Sequence, residues 1–280
     1  MPAEPPGEKG EEMYETQYHR PTSLSDAARL VSESGGEGKY LSGGMTLLPT
    51  MKARLASPSA LVDLRHVGEL KGISVEGRRV RIGGGTTHFE VASSKELEAV
   101  VPGLTDLAEL IGDPAVRHMG TMGGVVANFD PAADYPAALL AVGGTVHTDK
   151  REISADDYFL GLFETALEEG EIVTAVSFEA PQASAYEKFR NPASRYAMCG
   201  VYVARRADGS VGVAVTGAGS SGAYRWREAE QALVGQFDPA AIDALSVSEG
   251  EMIGDLHGSS AYRAHLVKVV TKRAVKKTIG

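Results

Sequence analysis

Cysteine is all but missing from this chain: among 280 residues only Cys199 carries a thiol. No intramolecular disulfide can form, and no thiolate-rich zinc or iron–sulfur site can be assembled. Cys199 sits between Met198 and Gly200 in an apolar run, so an inert core residue is expected, and the cytoplasm is the natural compartment. No run approaches the roughly 20 apolar residues of a membrane-spanning helix, so no membrane insertion is expected. Positive charge is in deficit too, with 28 Lys and Arg against 37 Asp and Glu and a net charge of −9. A general nucleic-acid binder would need a basic face and is excluded. No set of His, Asp and Glu with metal-ligand spacing surrounds His88 or His118, so no metal site is expected. No acid–base constellation stands out, and no catalytic residue is assigned.

Glycine, by contrast, is plentiful at 33 residues, many in short runs beside Ser or Thr. Such runs mark tight turns or close backbone approach rather than linkers. Met1 to Thr16, rich in Glu, Gly and Pro, reads as a disordered leader. Ser25 is expected to cap a helix running to Glu33. A strand at Lys39–Leu41 leads into Ser42-Gly43-Gly44-Met45-Thr46 and a helix at Leu47–Leu55. Leu61–Leu64 reads as a strand, and Leu70–Val75 with Arg79–Ile82 as a hairpin turning at Glu76-Gly77. Gly83-Gly84-Gly85-Thr86-Thr87 opens a helix at His88–Ser93, Leu104–Ile111 is amphipathic, and Tyr135–Val142 is a buried helix. After a strand at Ile172–Phe178, Tyr186–Arg190, Met198–Arg205 and Val211–Thr216 form a three-stranded antiparallel sheet, with Asp208-Gly209 as a type I′ turn. Helices at Arg227–Val234 and Ser260–Lys277 complete an α+β chain. The basic residues of the last helix, Lys268 to Lys277, read as a solvated face.

Two glycine pairs carry the chemistry. Gly43-Gly44 stands between a strand and a helix; Gly123-Gly124 stands between Thr121 and an apolar run. Without Cβ atoms, consecutive N–H groups can converge on an anion, and two such loops can embrace one pyrophosphate. An isolated pair is equally a tight strand-to-helix turn. Neither pair is part of a Gly-x-Gly-x-x-Gly run or a Gly-Lys-Ser/Thr run, so a conventional dinucleotide domain or P-loop is disfavoured.

The run Leu41-Ser42-Gly43-Gly44-Met45-Thr46-Leu47-Leu48-Pro49-Thr50-Met51-Lys52 resembles the first FAD-binding segment of the medium subunits of molybdenum hydroxylases, the carbon monoxide dehydrogenase and xanthine dehydrogenase family. Ile111-Gly112-Asp113-Pro114 through Gly120-Thr121-Met122-Gly123-Gly124 to Asp130-Pro131-Ala132-Ala133-Asp134-Tyr135-Pro136 resembles the second. Leu61–Leu64, Gly84–His88 and Tyr186-Glu187-Lys188-Phe189 extend the likeness, which covers the chain from about Tyr18 to the final helix.

The resemblance implies a two-subdomain FAD-binding fold of the vanillyl-alcohol oxidase type over residues 17–182, split near 66. A smaller C-terminal α+β domain would follow over 183–280. It implies FAD held by Leu41, Ser42, Gly43, Gly44, Met45 and Thr46 together with Thr121, Met122, Gly123 and Gly124. Asp134 would hydrogen-bond the cofactor, Ile111 and Val173 would line it, Lys188 would approach the isoalloxazine, and Tyr196 would cover a ring face. Each has a plainer counterpart: Asp134 as a helix cap, Lys188 as a solvent-facing strand residue, Tyr196 as a core aromatic. The chain departs from many relatives at Val125, where Asn is usual, and at Met45. The implied function is electron transfer, from the 2Fe–2S clusters of a small subunit through FAD to an external acceptor. A large molybdenum-cofactor subunit would hold the substrate, in a heterotrimer that dimerises. A self-contained FAD oxidoreductase and a flavin-free scaffold subunit are the alternatives.

Overall fold

A computed structural model describes residues 15–279. Residues 1–14 of the expected leader lie outside the described residues, whereas Thr16 is tied through its hydroxyl to the Pro58 carbonyl. A small parallel sheet comes first, from β1 (Gln17–His19), β2 (Gly38–Leu41) and β3 (Ala60–Asp63), in the order β1-β3-β2. Helix α1 (Leu24–Glu33) packs on it, capped by the Ser23 side chain, two residues earlier than the expected Ser25. Helix α2 (Leu47–Lys52) is shorter than expected and buries none of its residues.

The second sheet has five strands in the order β4-β5-β10-β6-β7: β4 (Ile73–Glu76), β5 (Arg79–Gly83), β6 (Thr145–Thr148), β7 (Glu152–Ser154) and β10 (Val173–Glu179). Between β5 and β6 lie α3 (His88–Ser93), α4 (Lys95–Val100), α5 (Pro102–Glu109), α6 (Pro114–Met119), α7 (Met122–Asn128) and α8 (Tyr135–Val142). Helix α9 (Ala155–Tyr158) leads into a hairpin, β8 (Phe159–Gly161) and β9 (Glu164–Thr165), which the sequence pattern does not announce. Strand β10 joins two halves made far apart in the chain, pairing antiparallel with β5 on one side and β6 on the other.

The third sheet has four strands, not the expected three: β11 (Ala183–Arg190), β12 (Ala197–Arg205), β13 (Val211–Thr216) and β14 (Tyr224–Arg225). The added strand is two residues long and pairs with Ala214 and Val215. The β12–β13 turn is not type I′ either. Only Gly209 has a positive φ, at 85°, and the loop is closed by Arg206 N–H donating to Ser210 O and Gly209 N–H donating to Arg206 O. Type I′ would require positive φ at Asp208 as well. A Gly-x-Gly-x-x-Gly run does occur at 217–222 behind β13. It leads into a strand, and a side chain at Gly217 would collide with the Ala197 carbonyl, so this is packing at a turn rather than a phosphate loop.

Helices α10 (Arg227–Gly235) and α11 (Ser260–Ile279) cover the outer face of this sheet around Val201, Val213, Val267 and Val270. Lys272 pairs with Asp243, and Lys277 with Asp106, so part of the basic face is latched to neighbours. Helix α8 is buried at all eight positions. It lies between β12–β13 on one side and α5, α7 and β10 on the other. That sandwiching is why its sequence is apolar all round instead of amphipathic. Cys199 is fully buried, and burial pushes its thiol up to about 12, which keeps it protonated and inert.

Candidate cofactor site

The end of β2, the turn after β5, the α6–α7 junction, the N-terminus of α8 and the β11–β12 loop converge on one cavity of about 990 Å³. That is at the upper end of the roughly 300–1,000 Å³ seen for small-molecule and cofactor sites. Both glycine pairs line it.

The first loop has the form of an anion cradle. Among the described residues, the backbone N–H groups of Gly43, Gly44, Met45 and Thr46 meet no protein acceptor. Gly44 adopts φ +72°, which turns the chain so that these groups can converge. Four adjacent N–H groups at the entrance to α2 are thereby available to an anion such as a pyrophosphate.

The second loop works differently from expectation. Met122 N–H donates to Thr86 O at 2.9 Å and Gly123 N–H to Gly84 O at 2.7 Å. Gly124 N–H donates to the Thr121 hydroxyl at 3.1 Å. These groups stitch α7 to the turn after β5 and leave no free row of donors. What the loop gives the cavity is a floor without side chains and the Thr121 hydroxyl, which pairs with the Ser42 hydroxyl at 2.8 Å. The glycines make room for protein as well as ligand. A Cβ at Gly43 would collide with the Met119 carbonyl and lie 2.7 Å from Gly120 Cα; one at Gly123 would lie 2.8 Å from the Gly84 carbonyl. Among the residues assigned from sequence, Met122 is the one that does not line the cavity. Its side chain is fully buried in the main core and does not reach the cavity, because the first turn of α7 points it inward. Leu41, Ser42, Gly43, Gly44, Met45, Thr46, Ile111, Thr121, Gly123, Gly124, Asp134, Val173, Lys188 and Tyr196 all line the cavity.

Asp134 begins α8 but makes no side-chain cap. Its carboxylate is turned instead towards β11, where Lys188 donates to Oδ2 at 2.9 Å and the Tyr186 hydroxyl donates to Oδ1. Lys188 also reaches the Leu110 carbonyl at 3.2 Å. Its side chain is 1% exposed, so it is not a solvent-facing strand residue. Burial pushes the Asp134 pKa up, while the Lys188 charge and the Tyr186 hydrogen bond work against that rise. The result is a buried ion pair at the edge of a cavity, a group type enriched at functional sites. Tyr196 stands at the rim, 55% exposed, on a loop closed by Asn191 N–H donating to Tyr196 O. It is a rim residue rather than a core aromatic. Val125 lines the cavity and packs partly on the core, so what it presents there is an apolar side chain.

Sequence reasoning passed over His88 and Tyr186. His88 is 2% exposed, lines the cavity and, among the described residues, has no partner for Nδ1. Burial, helped by the charge of Arg117, pushes its pKa down from 6.5 to about 4, so the imidazole is neutral at pH 7. The folded state binds fewer protons than the unfolded chain between those values, so stability falls as pH drops through this window. From neutral pH to pH 5 the His88 contribution should cost about 2 kcal/mol, at about 1.4 kcal/mol per unit of pH. His88→Gln should lack that part of the acid sensitivity in urea denaturation at pH 7 and pH 5. An equal pH dependence in both proteins would show that His88 is not its source.

Residues 13–181 match the model of the FAD-binding domain in molybdopterin dehydrogenase. The chain is 36% identical over 275 residues to the carbon monoxide dehydrogenase medium chain of Afipia carboxidovorans, covering 93% of this chain and 95% of that one. It is 33% identical over 271 residues to the nicotine 6-hydroxylase medium subunit of Paenarthrobacter nicotinovorans, covering 92% and 95%. The crystal structure of a cyanide-inactivated Cu,Mo-CO dehydrogenase superposes with a TM-score of 0.87 at 35% identity, covering 94% of this chain and 97% of that one.

Proposed function

The chain belongs to the family of FAD-binding domains in molybdopterin dehydrogenases, and from that membership we propose that it is the electron-transferring flavoprotein subunit of a molybdenum hydroxylase. FAD is its cofactor, and its place is in an oxidoreductase complex. The organisation is that of two FAD-binding subdomains followed by a C-terminal domain. Electrons arrive from 2Fe–2S clusters of a small subunit and leave to an external acceptor, while a large molybdenum-cofactor subunit handles the substrate in a dimerised cytoplasmic heterotrimer. With one cysteine, the chain cannot itself ligate such clusters, in keeping with that division of labour. Among the described residues no helix is long and apolar enough to cross a membrane.

The observation that carries the reading is the row of four orphaned N–H groups at Gly43–Thr46, facing a cavity that the second glycine pair also lines. In this reading Leu41 to Thr46 hold the pyrophosphate, with the Ser42–Thr121 hydroxyl pair beside it and Gly123 and Gly124 as floor. Ile111 and Val173 pack against the cofactor with their apolar side chains. Asp134 accepts a hydrogen bond from the cofactor, and Lys188 sets a positive charge at the flavin end. Tyr196 screens the rim from water by stacking. Bound FAD supplies a centre that takes electrons in pairs or singly; the protein supplies position, charge and exclusion of water.

The purified chain, stripped of cofactor, incubated with FAD and freed of unbound FAD by gel filtration, is expected to retain one equivalent and elute yellow. A preparation that stays colourless and indifferent to added FAD would overturn the assignment.

A further inference from the structure

A buried tyrosine outside the cavity stands directly behind Asp134. Tyr186 and Lys188 are two residues apart on β11, hence on one face of the strand, and both reach the same carboxylate. Tyr186 is fully buried and does not line the cavity. Its ring lies beside Tyr202, with centroids 6.3 Å apart, and its backbone carbonyl accepts from Lys277.

Its hydroxyl fills the space in which a side chain at position 200 would begin. A Cβ at Gly200 would collide with that oxygen and would lie 2.9 Å from both Tyr186 Cζ and Thr216 Cγ2. Gly200 sits within β12, paired with Lys188 on one side and Thr216 on the other. Its φ is not positive and no turn occurs there. A glycine inside a strand costs stability and calls for a reason such as close approach. Here the close approach is that of the tyrosine hydroxyl.

We propose that Gly200 and Tyr186 form a positioning relay that fixes the Asp134 carboxylate for the cofactor, with Tyr186 acting through Asp134 and never touching FAD itself. The inference rests on the FAD reading above. With Oδ1 held by the hydroxyl and Oδ2 by the ammonium, the carboxylate has one orientation, and its remaining lone pairs are left for a donor in the cavity. The hydroxyl also helps keep the group ionised against its burial. The charged and titratable groups that act on Asp134, or whose ionisation it influences, are Lys188, Tyr186 and Arg190 from β11, Tyr135 from α8 and Tyr196 from the β11–β12 loop. Cys199 of β12 acts on Tyr186 and stays neutral. Removing the hydroxyl leaves Lys188 as the sole direct donor among the described residues, and the protonated acid gains ground as pH falls.

The test uses Tyr186→Phe and Gly200→Ala in the full chain, with FAD dissociation constants from pH 6 to pH 8.5 and the spectrum and midpoint potential of the bound flavin. Tyr186→Phe is expected to weaken FAD binding about tenfold at the acidic end, the loss of one hydrogen bond to a charged group. The deficit should shrink as pH rises, and the potential and spectrum should shift. Gly200→Ala should reproduce these changes, because its methyl group displaces the hydroxyl. A purely structural tyrosine would lower the melting temperature but leave the dissociation constant, its pH slope and the spectrum at wild-type values; that result overturns the relay alone. Failure of the wild-type chain to bind FAD overturns the relay together with the cofactor assignment.

Discussion

Gly43→Val is expected to lose about a thousandfold in FAD affinity, the largest effect on cofactor binding of any single substitution in the cavity. The added side chain has nowhere to go. Its Cβ alone would strike the Met119 carbonyl and approach Gly120 Cα to 2.7 Å, and both obstacles are backbone rather than the far ends of flexible side chains. Relief requires the first loop to move away from the α6–α7 junction. That movement breaks the Ser42–Thr121 hydroxyl pair and shifts the N–H groups of Gly43–Thr46 relative to the rest of the cavity. Overpacking of this kind costs about 1–3 kcal/mol or more, and the misaligned donors add to it. The FAD titration reads the effect directly. Wild-type retention of FAD by the variant would mean that the two loops can separate freely, and the shared cradle would then have to be abandoned.

The second large effect concerns stability rather than binding. Lys188→Met should destabilise the FAD-free protein by about 3–5 kcal/mol at neutral pH, because it leaves a buried carboxylate without its counter-charge. Asp134 is 5% exposed and, among the described residues, keeps only the Tyr186 hydroxyl. In the variant its folded-state pKa rises further, so the folded protein binds a proton that the unfolded chain has released. The sign follows: stability is greatest below the unfolded carboxylate pKa and is lost as pH rises through the raised folded value. Urea denaturation should therefore show the variant recovering towards wild type as the pH falls, with Asp134→Asn/Lys188→Met regaining at least half the loss at pH 7. Equal stability of wild type and Lys188→Met at pH 7 would show that the pair contributes nothing net.

Much of this was legible in the sequence, for reasons that can be named. Val211–Thr216 and Tyr135–Val142 keep the expected bounds, since an unbroken apolar run flanked by turn residues leaves few alternatives. His88–Ser93 does as well, because Thr87 and Glu90 form a capping box. The glycine loops could be paired from their resemblance alone. What the sequence did not hold was the division of labour between them. Orphaned donors on the first loop and engaged donors at Met122, Gly123 and Gly124 of the second differ only in three-dimensional neighbours, above all the carbonyls of Gly84 and Thr86. Strand order was hidden for the same reason: nothing in Val173–Glu179 announces that it separates β5 from β6. The β8–β9 hairpin escaped notice because Leu160-Gly161-Leu162-Phe163 shows no alternation of apolar and polar residues. Tyr186 could have been found, since its period-two relation to Lys188 places both on one face of β11.

The late arrival of β10 has a consequence for how the subunit is made. While the chain is emerging from the ribosome, β5 and β6 are complete long before the strand that must lie between them, and each waits with an unpaired edge. Lys188 and Tyr196 emerge later still. The cavity is thus complete only once these residues are in place, and the interval before residues 173–179 exit is when the nascent chain is most exposed to wrong edge-to-edge pairing.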